Sequence, residues 1–173
     1  MEMDELKEHM EHAEHGGSFD KRVAVTMAII AATLAIVSVL GHLAATEELL
    51  NQQRASDQWS FYQAKSIRRY QSDVAKDMFT AMTNKESAEK YAKNGERYQK
   101  EGEEIQEKAK ELQAESDHEG HKALRLHLGE VFLEIAIVFA SLAILTKREL
   151  LWGTAVCSAA LGLVIAATEI FVK

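Results

Sequence analysis

Seven histidines occur in the 173 residues, and three of them stand three apart, at His9, His12 and His15 in the run EHMEHAEH. Imidazole is a common metal ligand, and residues three apart share a helix face. The same segment carries Met3, Leu6, Met10 and Ala13 as an apolar stripe, and its first 20 residues hold seven acids and one base. That pattern describes a short amphipathic helix docked on protein, since its sign is wrong for an anionic lipid surface. No metal is therefore expected, and these three histidines are only the nearest approach to a ligand set. A second group of ionisable residues, His42, Glu130, Glu134 and Glu169, lies within or beside long apolar stretches. A charge there is costly and marks a partner or a function. Glu134 follows Glu130 by one helical turn, about 6 Å deeper. A contact from His42 to Glu130 or Glu134 would satisfy both partners, whereas Glu169 reads as a solvated boundary residue. No Gly-rich phosphate loop, nucleophile elbow or Cys/His zinc spacing is present. The chain reads as no enzyme, with no cofactor and no catalytic residue.

The elements that must hold these groups follow from composition. There is no proline, and charged residues make up 27%. Without a helix breaker, the chain reads as all-α. The charges are segregated. No formal charge occurs from Val23 to Ala45, and apolar stretches resume after Leu128, with Glu130 and Glu134 near the start of the second, Lys147, Arg148 and Glu149 between the two, and Glu169 in the third. About 20 apolar residues suffice to cross a bilayer core. The fold class is thus an all-α integral membrane protein with three transmembrane helices. Its segments are an acidic, His-rich tail at 1–20, spans at 21–45, 129–146 and 150–172, a tight turn at 147–149, and an extramembrane helical hairpin at 46–128. Small residues mark packing faces: Ala24, Ala28, Ala31 and Ala35 in the first span, and Ser158–Gly162 and Gly153–Cys157 in the third. Cys157 is the single cysteine and excludes an internal disulfide. The net charge of −7 argues against nucleic acid as a partner.

The hairpin is legible as a coiled coil. Ala88, Tyr91, Gly95, Tyr98, Gly102, Ile105, Ala109 and Leu112 keep a 3-4 spacing in which small and large residues alternate. Trp59, Tyr62, Ile67, Tyr70, Val74, Met78 and Met82, together with Phe79, suggest the pairing arm. Thr83 and Glu86 fit a capping box that would start the second arm. Antiparallel arms 46–82 and 84–120 would then pair Phe79 with Ala88, Tyr62 with Ile105, and Trp59 with the region of Ala109. The first arm has no turn signal before it, so it should continue the first span as one helix. The run 117–121 should interrupt the heptads and kink the second arm.

Three blocks carry a resemblance: LKEHMEHAEHG at 6–16, AATEELLNQQRASDQWSFYQAKSIRR at 44–69, and ALRLHLGEVFLEIAIVFASLAILTKRELLWG at 123–153. Together they resemble a bacterial membrane family known as domain of unknown function 4337. The resemblance implies three membrane-spanning helices and brings no reaction, ligand or catalytic residue.

The expected role is structural: a homo-oligomer or partner-binding scaffold in a bacterial inner membrane, in contact with lipid and with protein through the hairpin or the tail. A small ion or proton channel, or a membrane-spanning sensor, is the alternative. Lys21–Arg22 and Lys147–Arg148 flank the spans on one side, which places the N-terminus in the cytoplasm and the hairpin and C-terminus in the periplasm. In a Cys157→Ser background, a cysteine at Asn84 should then react with a membrane-impermeant thiol reagent in intact cells. Labelling only after inner-membrane lysis would invert the topology.

Overall fold

The computed structural model describes residues 17–171, with side chains through Thr168. It contains three helices: α1 (Ser18–Ala81), α2 (Lys85–Thr146) and α3 (Glu149–Phe171). No strand occurs among the described residues. The tail histidines His9, His12 and His15 lie outside the described residues, as does the Glu169 side chain. Each helix contains a segment long and apolar enough to cross a membrane. As read from the sequence, α1 runs without interruption from the apolar stretch into the charged one. Helix α2 likewise stays helical through 117–121.

Contacts divide the chain into an apolar unit, formed by the residues up to Ala44 with those from His121 on, and a polar unit, Ala45–Gly120. In the apolar unit α1 buries Val23, Ile30, Val37 and Ala44 at seven-residue intervals. This corrects the sequence reading, because Ala24, Ala28, Ala31 and Ala35 are exposed. The reason is volume. Helix α2 contributes Ala136, Ala140 and Ala143, all fully buried, so the facing helix must supply larger side chains or leave a void. A second alanine face opposite them would not fill the space.

Helix α3 approaches α2 more closely still. A Cβ on Gly129 would stand 2.8 Å from the Gly162 carbonyl oxygen, and a Cβ on Gly162 would stand 2.7 Å from that of Gly129. Backbone meets backbone there, and neither position accepts a side chain without separating the helices. Beside this crossing the Ser158 hydroxyl donates to the Phe132 carbonyl at 2.7 Å. Of the two small-residue pairs in α3, Ser158–Gly162 thus packs on α2, while around Gly153 there is open space.

The polar unit is a pair of antiparallel arms. Ser116 donates to the Glu48 carbonyl at 3.0 Å, Lys65 is bonded to Glu101, and Phe79 stacks on Tyr91. Numbers rise on one arm as they fall on the other. The arms meet through a three-residue turn. Asn84 N–H donates to the Phe79 carbonyl and Thr83 N–H to that of Thr80, the paired closure of a Schellman motif. The sequence assigned the cap of α2 to Thr83, but Asn84 performs it, accepting from the Ser87 N–H at 3.2 Å. Thr83 is instead the left-handed residue, with φ 61°. A β-branched side chain pays for that conformation in steric strain. Thr83→Gly should therefore stabilise the hairpin by about 0.5–1 kcal/mol after the unfolded-state entropy of glycine is subtracted. An unchanged or lower thermal midpoint for the full chain in detergent would contradict this.

Candidate functional site

Polar groups converge at one place in the apolar unit. Ser38 and His42 come from α1, four residues apart and hence on one face, and His127 and Glu130 come from α2, three apart. The His127 Nδ1 lies 3.0 Å from Glu130 Oε2. Ser38 also hydrogen-bonds the Glu130 carboxyl. The His42 and His127 rings meet edge to face at 5.8 Å. Gly41 makes room for this: a Cβ there would stand 3.3 Å from His127 Cε1. The result is a carboxyl flanked by one hydroxyl and two imidazoles, a group able to hold and pass a proton over a short distance. No set of three or more His, Cys, Asp or Glu side chains is arranged to hold a metal among the described residues.

Of the residues singled out from sequence, the structure thus brings His42 and Glu130 together. It adds His127, whose only sequence signal is its position three residues before Glu130. Glu134 does not join them. Reasoned to face protein or water, it stands exposed on the outer side of α2, where no described residue forms a hydrogen bond or ion pair with it.

The other end of the apolar unit is a charged collar. Lys147 is paired with Asp20, and Arg22 lies 4.0 Å from Glu149 and 6.0 Å from the Trp152 ring centroid. Lys147 reaches Asp20 from a left-handed turn residue with φ 56°. Between the two ends the buried side chains include Val23, Ala140, Ala143 and Ala155, together with Ser158, whose hydroxyl is bonded to the Phe132 carbonyl. The hydroxyls of Thr26, Thr33 and Ser141 donate to carbonyls of their own helix. This local bonding satisfies the hydroxyl protons within the helix, and the Thr26 oxygen also accepts from Trp152 Nε1 of α3 at 3.4 Å.

In the polar unit, Ala109, Leu112, Gly95 and Gly102 are buried, and Tyr62, Trp59, Phe79, Ala88, Tyr91, Tyr98 and Ile105 are half-buried. The described contacts across the arms are Phe79 with Tyr91, with centroids 5.5 Å apart, and Tyr62 with Gly102, each within one helical turn of the pairing expected from sequence. Trp59 packs edge-on against Tyr62 of its own arm. Tyr70 is a correction: it is 71% exposed and takes no part in the pairing. Ile67, Val74, Met78 and Met82 point outward with it. The inward face of this arm holds Asn51, Ala55 and Ser72 instead. Its central polar contact is Lys65 with Glu101, which also lies 3.6 Å from Arg97. The Lys65 hydrogen bond holds the Glu101 carboxyl below its ordinary range, with Lys65, Arg97 and Arg68 adding charge attraction.

These features define a class: an all-helical chain with three helices long and apolar enough to cross a membrane and a polar helical hairpin. The profile of the family described as "Domain of unknown function (DUF4337)" matches residues 19–172, and the chain belongs to that family. Comparison with curated proteins and with solved structures found no match.

The Glu101 contact has a pH signature. A carboxyl whose folded pKa is lowered contributes stability above its unfolded pKa and loses it as pH falls through the folded value. Glu101→Gln should therefore lower the thermal midpoint at neutral pH, and the difference from the parent should vanish below the ordinary carboxylate range. A difference that persists unchanged in acid would show that the ionised pair is not its source.

Proposed function

We propose that this protein is a membrane-embedded interaction protein, working by contact with other chains rather than by catalysis. In this reading the three apolar helices cross lipid, and the polar unit is an antiparallel coiled coil outside the bilayer. The observation that carries it is the outward stripe of the first arm: Ile67, Tyr70, Val74, Met78 and Met82 are 46–71% exposed. Large apolar side chains aligned on one face of a solvated helix mark a protein contact. Membrane insertion is supported by the inverted packing of the apolar unit. Alanines fill its interior, while Val25, Ile29, Ile36, Val39 and Leu43 of α1 face outward. That distribution suits lipid, where close approach rather than hydrophobic burial drives association. Self-association in the membrane completes the reading. The inner-membrane setting with a periplasmic hairpin rests on the Lys/Arg pairs, which share the charged collar.

A second reading, a proton or ion path, is favoured by the Ser38–His42–His127–Glu130 cluster. It is opposed by the apolar plug of Val23, Ala140, Ala143 and Ala155. Conduction through one copy would need polar groups there too.

The stripe gives the test. Tyr70→Asp combined with Val74→Asp changes only exposed positions, so stability should move by no more than about 0.5 kcal/mol per site. Association of the full-length protein in lipid nanodiscs, read by crosslinking at hairpin lysines and by mass, should fall roughly tenfold or more. Unchanged crosslinking would remove the stripe as a contact surface.

A further inference from the structure

The two arms of the polar unit leave a cleft between them toward the end of the hairpin away from its turn. Gln52, Ala55, Ser56 and Trp59 stand at i, i+3, i+4 and i+7 on α1, and Gln113 and Asp117 stand four apart on α2. Each set shares one helix face. Together they line a cleft of about 280 Å³ that lies wholly within the polar unit. Ala55 is buried and Trp59 half-buried, while Gln52, Gln113 and Asp117 are exposed, so the cleft opens to solvent. Tyr62 holds the Trp59 indole edge to face, with centroids 5.7 Å apart. Asp117 carries the one formal charge of the lining, and no described residue forms a hydrogen bond or ion pair with it. Gln52 and Gln113 add amide oxygens, and Ser56 adds a hydroxyl.

We propose that this cleft binds a primary ammonium on a short aliphatic stem, with Asp117 as its counter-ion and the Trp59 indole against it. The proposal goes beyond the interaction reading above and stands whether or not the apolar helices cross lipid. A cation gains from a carboxylate through a charge-assisted hydrogen bond, and from an indole through the negative face of the ring. A primary ammonium has three N–H donors. One serves Asp117, and the other two serve the Gln52 and Gln113 amide oxygens or the Ser56 hydroxyl. A quaternary ammonium has no N–H and would leave those acceptors unused. An anion, or the carboxylate of a free amino acid, would meet Asp117 with no cation in the lining to answer it. At about 30 Å³ for each water-sized group the cleft holds roughly nine of them, enough for an ammonium with a stem of four or five carbons. Two sources carry this chemistry, a free aliphatic amine and the side chain of a lysine on another chain.

The full-length protein in a non-ionic detergent provides the test, with n-butylamine as the probe at neutral pH and constant ionic strength. The chain has two tryptophans, so Trp152→Phe leaves Trp59 as the sole indole. Its emission should then change saturably, with half-saturation at about 10 mM or below for so small a ligand. Calorimetry on the parent chain should return the same affinity. Butan-1-ol and butyrate keep the stem without the cation and should give no saturable change. Tetramethylammonium should bind roughly tenfold or more weakly. Asp117→Asn keeps the shape of an exposed side chain, so it should leave the thermal midpoint in place and weaken butylamine roughly tenfold or more. Gln113→Lys puts a cation into the cleft and should abolish binding. Nα-acetyl-lysine methylamide separates the sources: affinity equal to that of butylamine supports a lysine of another chain, and affinity tenfold lower supports a free amine. No saturable butylamine signal by either method overturns the proposal. So does an equal response to butan-1-ol, or an undiminished affinity in folded Asp117→Asn.

Discussion

The apolar unit depends on how closely its helices approach. At Gly129 and Gly162 the α2 and α3 backbones touch, with each carbonyl oxygen occupying the space a Cβ would need. Dispersion falls off over fractions of an ångström, so a packed face of backbone and alanine needs that contact to be tight. From it follows the rest of the packing. Ala155 and Ala159 of α3 and Ala136, Ala140 and Ala143 of α2 are buried, and α1 answers them with Val23, Ile30 and Val37. Large side chains are left for the outside. A water-soluble bundle would place them the other way round.

The same economy of space governs the polar groups. A hydroxyl in an apolar helix can bond to its own backbone, as those of Thr26, Thr33 and Ser141 do, or to a carbonyl of the helix beside it, as that of buried Ser158 does. Longer ionisable groups cannot be satisfied that way. Glu130 is held by Ser38 and His127 where Gly41 opens space for the imidazole. Glu134, one turn further along, has no such neighbour. One carboxyl has its partners within the chain, and the other stands exposed.

The hairpin shows how little hydrophobicity alone says about a two-sided helix. Its first arm turns Trp59, Tyr62 and Phe79 partly inward beside buried Asn51, Ala55 and Ser72, and leaves Ile67, Tyr70, Val74, Met78 and Met82 outside. The buried Asn51 and Ser72 stand a multiple of seven residues apart. The second arm offers Gly95, Gly102 and Ala109 along its seam, with the Tyr62 ring lying over Gly102. Small residues of the second arm beside aromatic rings permit close arms, with Lys65 paired to Glu101. The face with Ile67, Tyr70, Val74, Met78 and Met82 is left exposed.

The sequence by itself determined the helices. The absence of proline, the uncharged run 23–45 and the apolar stretches after Leu128 required three long apolar helices, and the heptads at 88–112 identified one arm of the hairpin. Those signals are local and cumulative, so they survive without knowledge of neighbours. Tertiary structure alone decided which face of each helix turns inward. Ala24, Ala28, Ala31 and Ala35 obey the same spacing as Val23, Met27, Ile30 and Leu34, and Tyr70 belongs to as regular a stripe as Ser72 does. Periodicity fixes the stripe's repeat but not its phase. In the apolar unit the phase was set by volume, since the alanines of α2 need larger side chains opposite them. That phase places Glu130 beside Ser38 and His127 and leaves Glu134 facing out.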